Sequence, residues 1–132
     1  MEKSVIIEGR VVRGHSLGRK LGFPTANLAL PRDMKEFRGG VYFGRATLAC
    51  GEKYYALVNI GDRPTVNQVC DPLLEAHLIG FSGSLYGEVL RVELLDYMRQ
   101  ERRFENPGQL KMAIENDLKN TEQLIEKYES GL

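Results

Sequence analysis

Hydrophobic side chains gather in five short runs: residues 4–12 (SVIIEGRVV), 40–49 (GVYFGRATLA), 53–60 (KYYALVNI), 73–81 (LLEAHLIGF) and 87–97 (GEVLRVELLDY). Each is rich in Val, Ile, Leu, Tyr or Thr, residues that fit a pleated and half-buried surface, so each predicts a β-strand. Turn residues fall between them at Gly39-Gly40, Gly51-Glu52, Gly61-Asp62 with Pro64, Asp71-Pro72 and Ser82-Gly83-Ser84. No helix-length pattern separates the strands. That spacing predicts an antiparallel barrel or sandwich and argues against βαβ units. The one helix signal comes last, at about 107–128, with Asn106 as N-cap, Pro107 at the first helical position and Gln109 placed to close a capping box. Leu110, Ile114, Leu118, Thr121, Ile125 and Tyr128 then step along one face, a stripe able to pack on the strands.

With 132 residues, 42% of them hydrophobic and 27% charged, the chain is expected to form one domain, 1–132, with a real core. Its apolar runs are too short to span a bilayer, and Val5, Ile6 and Ile7 before Glu8 do not make a secretory signal, so a cytoplasmic protein is expected. Cys50 and Cys70 then read as reduced thiols. With His15 and His77 they show no metal-ligand spacing, so neither a disulfide nor zinc is expected. Lys+Arg and Asp+Glu balance at 18 each, but base gathers in residues 1–66 and acid in 67–132. Arg10, Arg13, Arg19 and Lys20 follow one another with no acid between them. A basic loop of this size suits a small polyanion rather than nucleic acid bound across a whole face, or else it is a solvated connection.

Candidate chemistry begins in that loop, GHSLGRKLGFPTAN from Gly14 to Asn27. Gly14, Gly18 and Gly22 allow the backbone amides to converge on an anion, and Pro24 is expected to hold Thr25 and Asn27 in a defined turn. Both side chains offer oxygen to a hard cation such as Mg²⁺. Neither GxxxxGK[ST] nor GxGxxG is present, so the segment is either a nucleotide site of another kind or an ordinary loop. Glu75 interrupts a strand that is largely apolar on both faces. It sits at a water-exposed edge, or in a site where burial raises its pKa into the range of a general base. His77 reads as a hydrogen-bonded wall residue. Tyr97-Met98-Arg99-Gln100-Glu101-Arg102-Arg103-Phe104 mixes rings with guanidinium groups, which either clasp a flat heteroaromatic ring or form a solvated connection.

Taken in order, VVRGHSLGRKLGFPTAN, GGVYFG, VNIGDRPT, LLEAHLIGF, SLYGEVLRV and MRQERRF resemble the riboflavin kinase family over nearly the whole chain. The resemblance implies a mainly β fold, a six-stranded antiparallel Greek-key barrel at about 4–97, a flap at 98–105 and a C-terminal α-helix. It implies transfer of the γ-phosphate of Mg-ATP to riboflavin, giving FMN and ADP. Glu75 would be the base, and Thr25 and Asn27 would hold Mg²⁺. The loop with Gly14 and either Arg19 or Lys20 would cover the phosphates. Leu78, Gly80 and Tyr86 would contact the nucleotide, while Arg99, Arg102 and Phe104 would close over the flavin. The implied partners are small molecules, riboflavin and ATP, with no nucleic acid and no membrane. The chain would be either a stand-alone kinase or a domain of a protein that also carries an FMN adenylyltransferase, and nothing in it demands more than a monomer. A non-catalytic flavin-binding barrel, a carrier or sensor, is the competing expectation and has no need of Glu75.

Overall fold

In the computed structural model, residues 5–12, 25–29, 39–61, 73–100 and 104–130 are described. They form β1 (Val5–Val12), β2 (Ala26–Ala29), β3 (Gly40–Leu48), β4 (Lys53–Ile60), β5 (Leu73–Leu78), β6 (Val89–Arg99) and α1 (Pro107–Glu129). Every strand pair is antiparallel, and the sheet closes in the order β1-β2-β5-β4-β3-β6. Strands β3, β4 and β5 follow as a meander, and β6 returns to lie beside β3. That is a Greek key, and closure leaves the barrel without a free edge.

Alternation along each strand fills the interior. Ile7 and Val11 of β1, Ala26 and Leu28 of β2, Ala56, Val58 and Ile60 of β4, Leu74, Ala76 and Leu78 of β5, and Leu90, Val92 and Leu94 of β6 form one buried cluster. Removing a Leu or Ile side chain fully from water contributes about 1.5–3 kcal/mol, and Ile7, Leu28, Ile60, Leu74 and Leu90 are each essentially inaccessible. Side chains one position out of step with this set therefore face the outer wall.

The helix covers part of that wall. Phe43 of β3 is fully buried outside the barrel, stacked on Tyr55 with ring centroids 5.3 Å apart and tilted against Tyr128 of α1 at 5.6 Å. Asn106 caps the helix as expected, its Oδ1 accepting from the Gln109 N–H at 2.9 Å, while Gln109 Oε1 accepts from the Glu105 N–H at 3.0 Å. The stripe is shifted from the sequence expectation. Its fully buried line is Ala113, Asp117 and Thr121, with Leu110, Ile114, Leu118, Ile125 and Tyr128 half-buried alongside. Among the described residues no helix is long and apolar enough to cross a membrane.

Two sequence boundaries are corrected by pairing. Asn27 does not lie in a turn: Ala26–Ala29 is a strand, laddered to β1 on one side and β5 on the other. β6 runs on through Arg99, so that residue ends a strand rather than opening a loop. Its last turns around the barrel contain two register shifts against β3, between Val41 and Tyr42 and between Phe43 and Gly44. Such bulges sharpen local twist and re-aim side chains. Gly40 permits one of the close approaches between β3 and β6. At φ +144° a Cβ there would stand 2.6 Å from the Arg99 carbonyl oxygen and 2.8 Å from Tyr97 Cε1.

Candidate active site

A single cross-strand row on the outer wall holds Asn27, Glu75 and Arg99. Val12 of β1 lies opposite Asn27 of β2, and Asn27 lies opposite Glu75 of β5. Glu75 is in turn opposite Asn59 of β4, Asn59 opposite Val41 of β3, and Val41 opposite Arg99 of β6. Directly opposed residues hold their Cβ atoms about 4.5–5.5 Å apart and point to the same face. The half-buried Glu75 carboxylate is thus flanked by two carboxamides, with Asn27 toward the start of the glycine loop and Asn59 toward the helix. Asn59 escaped the sequence reading. Its signal was present, as a polar residue among the apolar positions that end KYYALVNI.

Asn27 is the buried polar side chain of the row. It is only 6% exposed, and its Oδ1 is buried with no hydrogen-bond partner among the described residues. A buried carbonyl oxygen without a donor costs about 1–3 kcal/mol relative to a satisfied one. It is, however, well suited to a hard cation, which takes neutral oxygens as ligands. Thr25, half-buried and one residue ahead of β2, adds a hydroxyl two positions away on an extended chain. Among the described residues no group of three or more His, Cys, Asp and Glu is placed to hold a metal. A carboxamide oxygen and a hydroxyl, both neutral donors, fit a cation that takes most of its ligands from a phosphate and water, as Mg²⁺ does.

Other predicted residues distribute around this row. Leu78 points into the barrel and is 5% exposed, so any contact it makes with a ligand comes from its backbone. Gly80 follows in a turn at φ +86°, with open space where a Cβ would stand. Tyr86 is exposed at 58%. Its turn is pinned to the end of β1: the Val11 N–H donates to the Glu88 carbonyl at 2.8 Å, the Gly87 N–H to the Val11 carbonyl at 2.9 Å, and Arg10 Nη1 to the Gly87 carbonyl at 2.6 Å. The chain thus brings the Tyr86 turn to the strand end from which the basic loop departs. Phe104 is half-buried just ahead of the helix. Gly14, Arg19, Lys20 and Arg102 lie outside the described residues.

Arg99 is engaged within the protein. Its Nε and Nη2 donate to the two carboxylate oxygens of Asp117, at 2.9 and 2.6 Å, and its Nη1 donates to the Gln100 carbonyl at 3.0 Å. All three guanidinium nitrogens are occupied by protein. The side chain that the resemblance sets over the flavin ties the end of β6 to the middle of α1.

A family model described as riboflavin kinase, Flavokinase, matches residues 1–125. The bifunctional riboflavin kinase/FMN adenylyltransferase of Haemophilus influenzae is 42% identical over 112 residues, which cover 85% of this chain and 36% of that protein. The chain spans little more than a third of that relative's length. Among solved structures, a protein described as a macrolide-efflux protein from Streptococcus pneumoniae superposes with a TM-score of 0.78 at 29% identity, over 88% of this chain and 38% of that one. Riboflavin kinase from Trypanosoma brucei shares the fold, with a TM-score of 0.67 at 24% identity over 92% of this chain and 80% of that one. The closed six-stranded barrel with its C-terminal helix and the match of one family model to residues 1–125 agree: the chain belongs to the riboflavin kinase family.

Proposed function

We propose that this domain transfers the γ-phosphoryl group of ATP to the terminal 5′-hydroxyl of the ribityl chain of riboflavin, releasing FMN and ADP. The observation that carries the reading is the direct pairing of Glu75 with Asn27, whose buried Oδ1 lacks a donor among the described residues. A primary alcohol is a poor nucleophile at neutral pH. Glu75 accepts its proton as the alcohol oxygen bonds to the γ-phosphorus and the bond to the ADP oxygen breaks, an effect of about 10²–10⁴ in rate. Thr25 and Asn27 would hold Mg²⁺, which when bound neutralises charge on the phosphate oxygens. In-line positioning supplies the larger share of the acceleration.

The remaining roles fall to residues around the row. The glycine loop with Gly14 and either Arg19 or Lys20 surrounds the phosphates with N–H groups and positive charge. The Leu78 backbone, Gly80 and Tyr86 line the nucleotide, and Arg102 and Phe104 meet the flavin ring. The bifunctional name of the Haemophilus relative supports a parent protein in which an FMN adenylyltransferase uses the product, in the cytoplasm where ATP is available. Incubating the protein with riboflavin and Mg-ATP and separating the products tests the assignment. Equal amounts of FMN and ADP are expected. ADP without FMN, or no turnover at all, overturns it.

A further inference from the structure

We infer that Arg99 and Asp117 form a positioning pair for the acceptor substrate, so that the C-terminal helix takes part in riboflavin binding through the barrel end it holds. The inference rests on the kinase reading and concerns residues for which sequence gave either another role or none.

Arg99 is the last member of the cross-strand row that contains Asn27, Glu75 and Asn59. It is fixed from three directions. Asp117, with a side chain only 4% exposed, receives two parallel N–H donors from its guanidinium. The Gln100 carbonyl takes a third, and Gly40 lets β3 close against the Arg99 carbonyl as no larger residue would. A bidentate pair of this kind fixes angle as well as distance. Asp117 is costly to bury. Replacing a buried ion pair by apolar residues is often neutral or stabilising, so stability alone is a weak reason for its presence.

Position supplies a better reason. The pair locks the end of β6, and with it the side of the row away from the glycine loop, to the helix whose start is preceded by Phe104. The nucleotide end is held by other contacts, those between β1 and the Tyr86 turn. Loosening Arg99 should therefore weaken acceptor binding and leave donor binding alone. Another tie between helix and barrel, Tyr128 Oη donating to Asp96 Oδ2 at 3.0 Å, lies near the far end of the helix and provides a control.

Three variants separate positioning from scaffolding. Arg99→Met with Asp117→Leu replaces the pair by apolar side chains and is expected to fold. Arg99→Lys keeps the charge but cannot reach both Asp117 oxygens and the Gln100 carbonyl in one plane. Each is expected to raise the KM for riboflavin about tenfold or more, with the KM for ATP unchanged and the melting temperature of the double variant not lowered. Tyr128→Phe should leave both KM values as they are. If the folded double variant, or Arg99→Lys should the double variant not fold, keeps the parental KM for riboflavin, the pair is scaffolding only and the inference fails. Equal increases in both KM values also overturn it. A parent protein that makes no FMN removes the kinase reading itself, an outcome visible before any variant is made.

Discussion

Replacing Asn27 by leucine should stabilise the ligand-free protein while removing its response to magnesium. The parent holds a carbonyl oxygen in a place only 6% exposed with no donor among the described residues, a defect worth about 1–3 kcal/mol. Leucine has a similar shape, carries no polar atom, and would sit beside Val12 and the stems of its cross-strand neighbours. For a domain of this size each kcal/mol moves the melting temperature by roughly 3–5 °C, so a rise of about 3–15 °C is expected. Thermal unfolding should be followed with and without Mg²⁺ and ADP. The parent gains stability from the pair of ligands by mass action, and the variant should gain far less. A variant less stable than the parent by more than about 1 kcal/mol would show that the carboxamide is satisfied in the folded protein. An intact magnesium-dependent shift would remove Asn27 from the metal site. Either result breaks the link between the orphaned oxygen and the cation.

Two further expectations concern the scaffold. Gly40→Ala forces a Cβ to 2.6 Å from the Arg99 carbonyl at a φ of +144°, and should destabilise the domain by about 1–3 kcal/mol in urea unfolding; an unchanged midpoint would mean that β6 can retreat at no cost. Burial, and then the hydrogen bond to Asp96, raise the Tyr128 phenol above its ordinary value of 10.0. A proton-binding site strengthened by folding stabilises the protein below the unfolded value and loses that contribution as pH rises through the folded one. Stability should therefore fall above about pH 10, and less steeply in Tyr128→Phe. Identical slopes in urea midpoints against pH would refute the assignment to this residue.

The strands that build the barrel were legible because their interiors alternate: Leu74, Ala76 and Leu78 point inward, and Glu75 and His77 are left outside. β2 was not legible. Its four residues follow a glycine-rich loop and Pro24, so local signals favour a turn, and only pairing to β1 and β5 makes it a strand. The sixth strand and the roles of Thr25, Asn27 and Glu75 came from family resemblance. Periodicity could place Glu75 on a face but could not say that Asn27 and Asn59 would flank it, because register is set by closure of the whole sheet. Arg99 and Asp117 were hidden for a different reason. A charged residue in a helical stripe reads as a solvated interruption until its partner is known, and the partner lies in a stretch, MRQERRF, whose polarity suggests a loop.

The account depends most on Glu75 acting as the base beside the cation site. Glu75→Gln keeps the size and much of the hydrogen bonding of the side chain and removes its capacity to take a proton. Single-turnover measurement of FMN formation, alongside binding of riboflavin and Mg-ATP, should find the rate lowered by about 10²–10⁴ with both affinities near those of the parent. Phosphoryl transfer by Glu75→Gln at close to the parental rate would contradict the account.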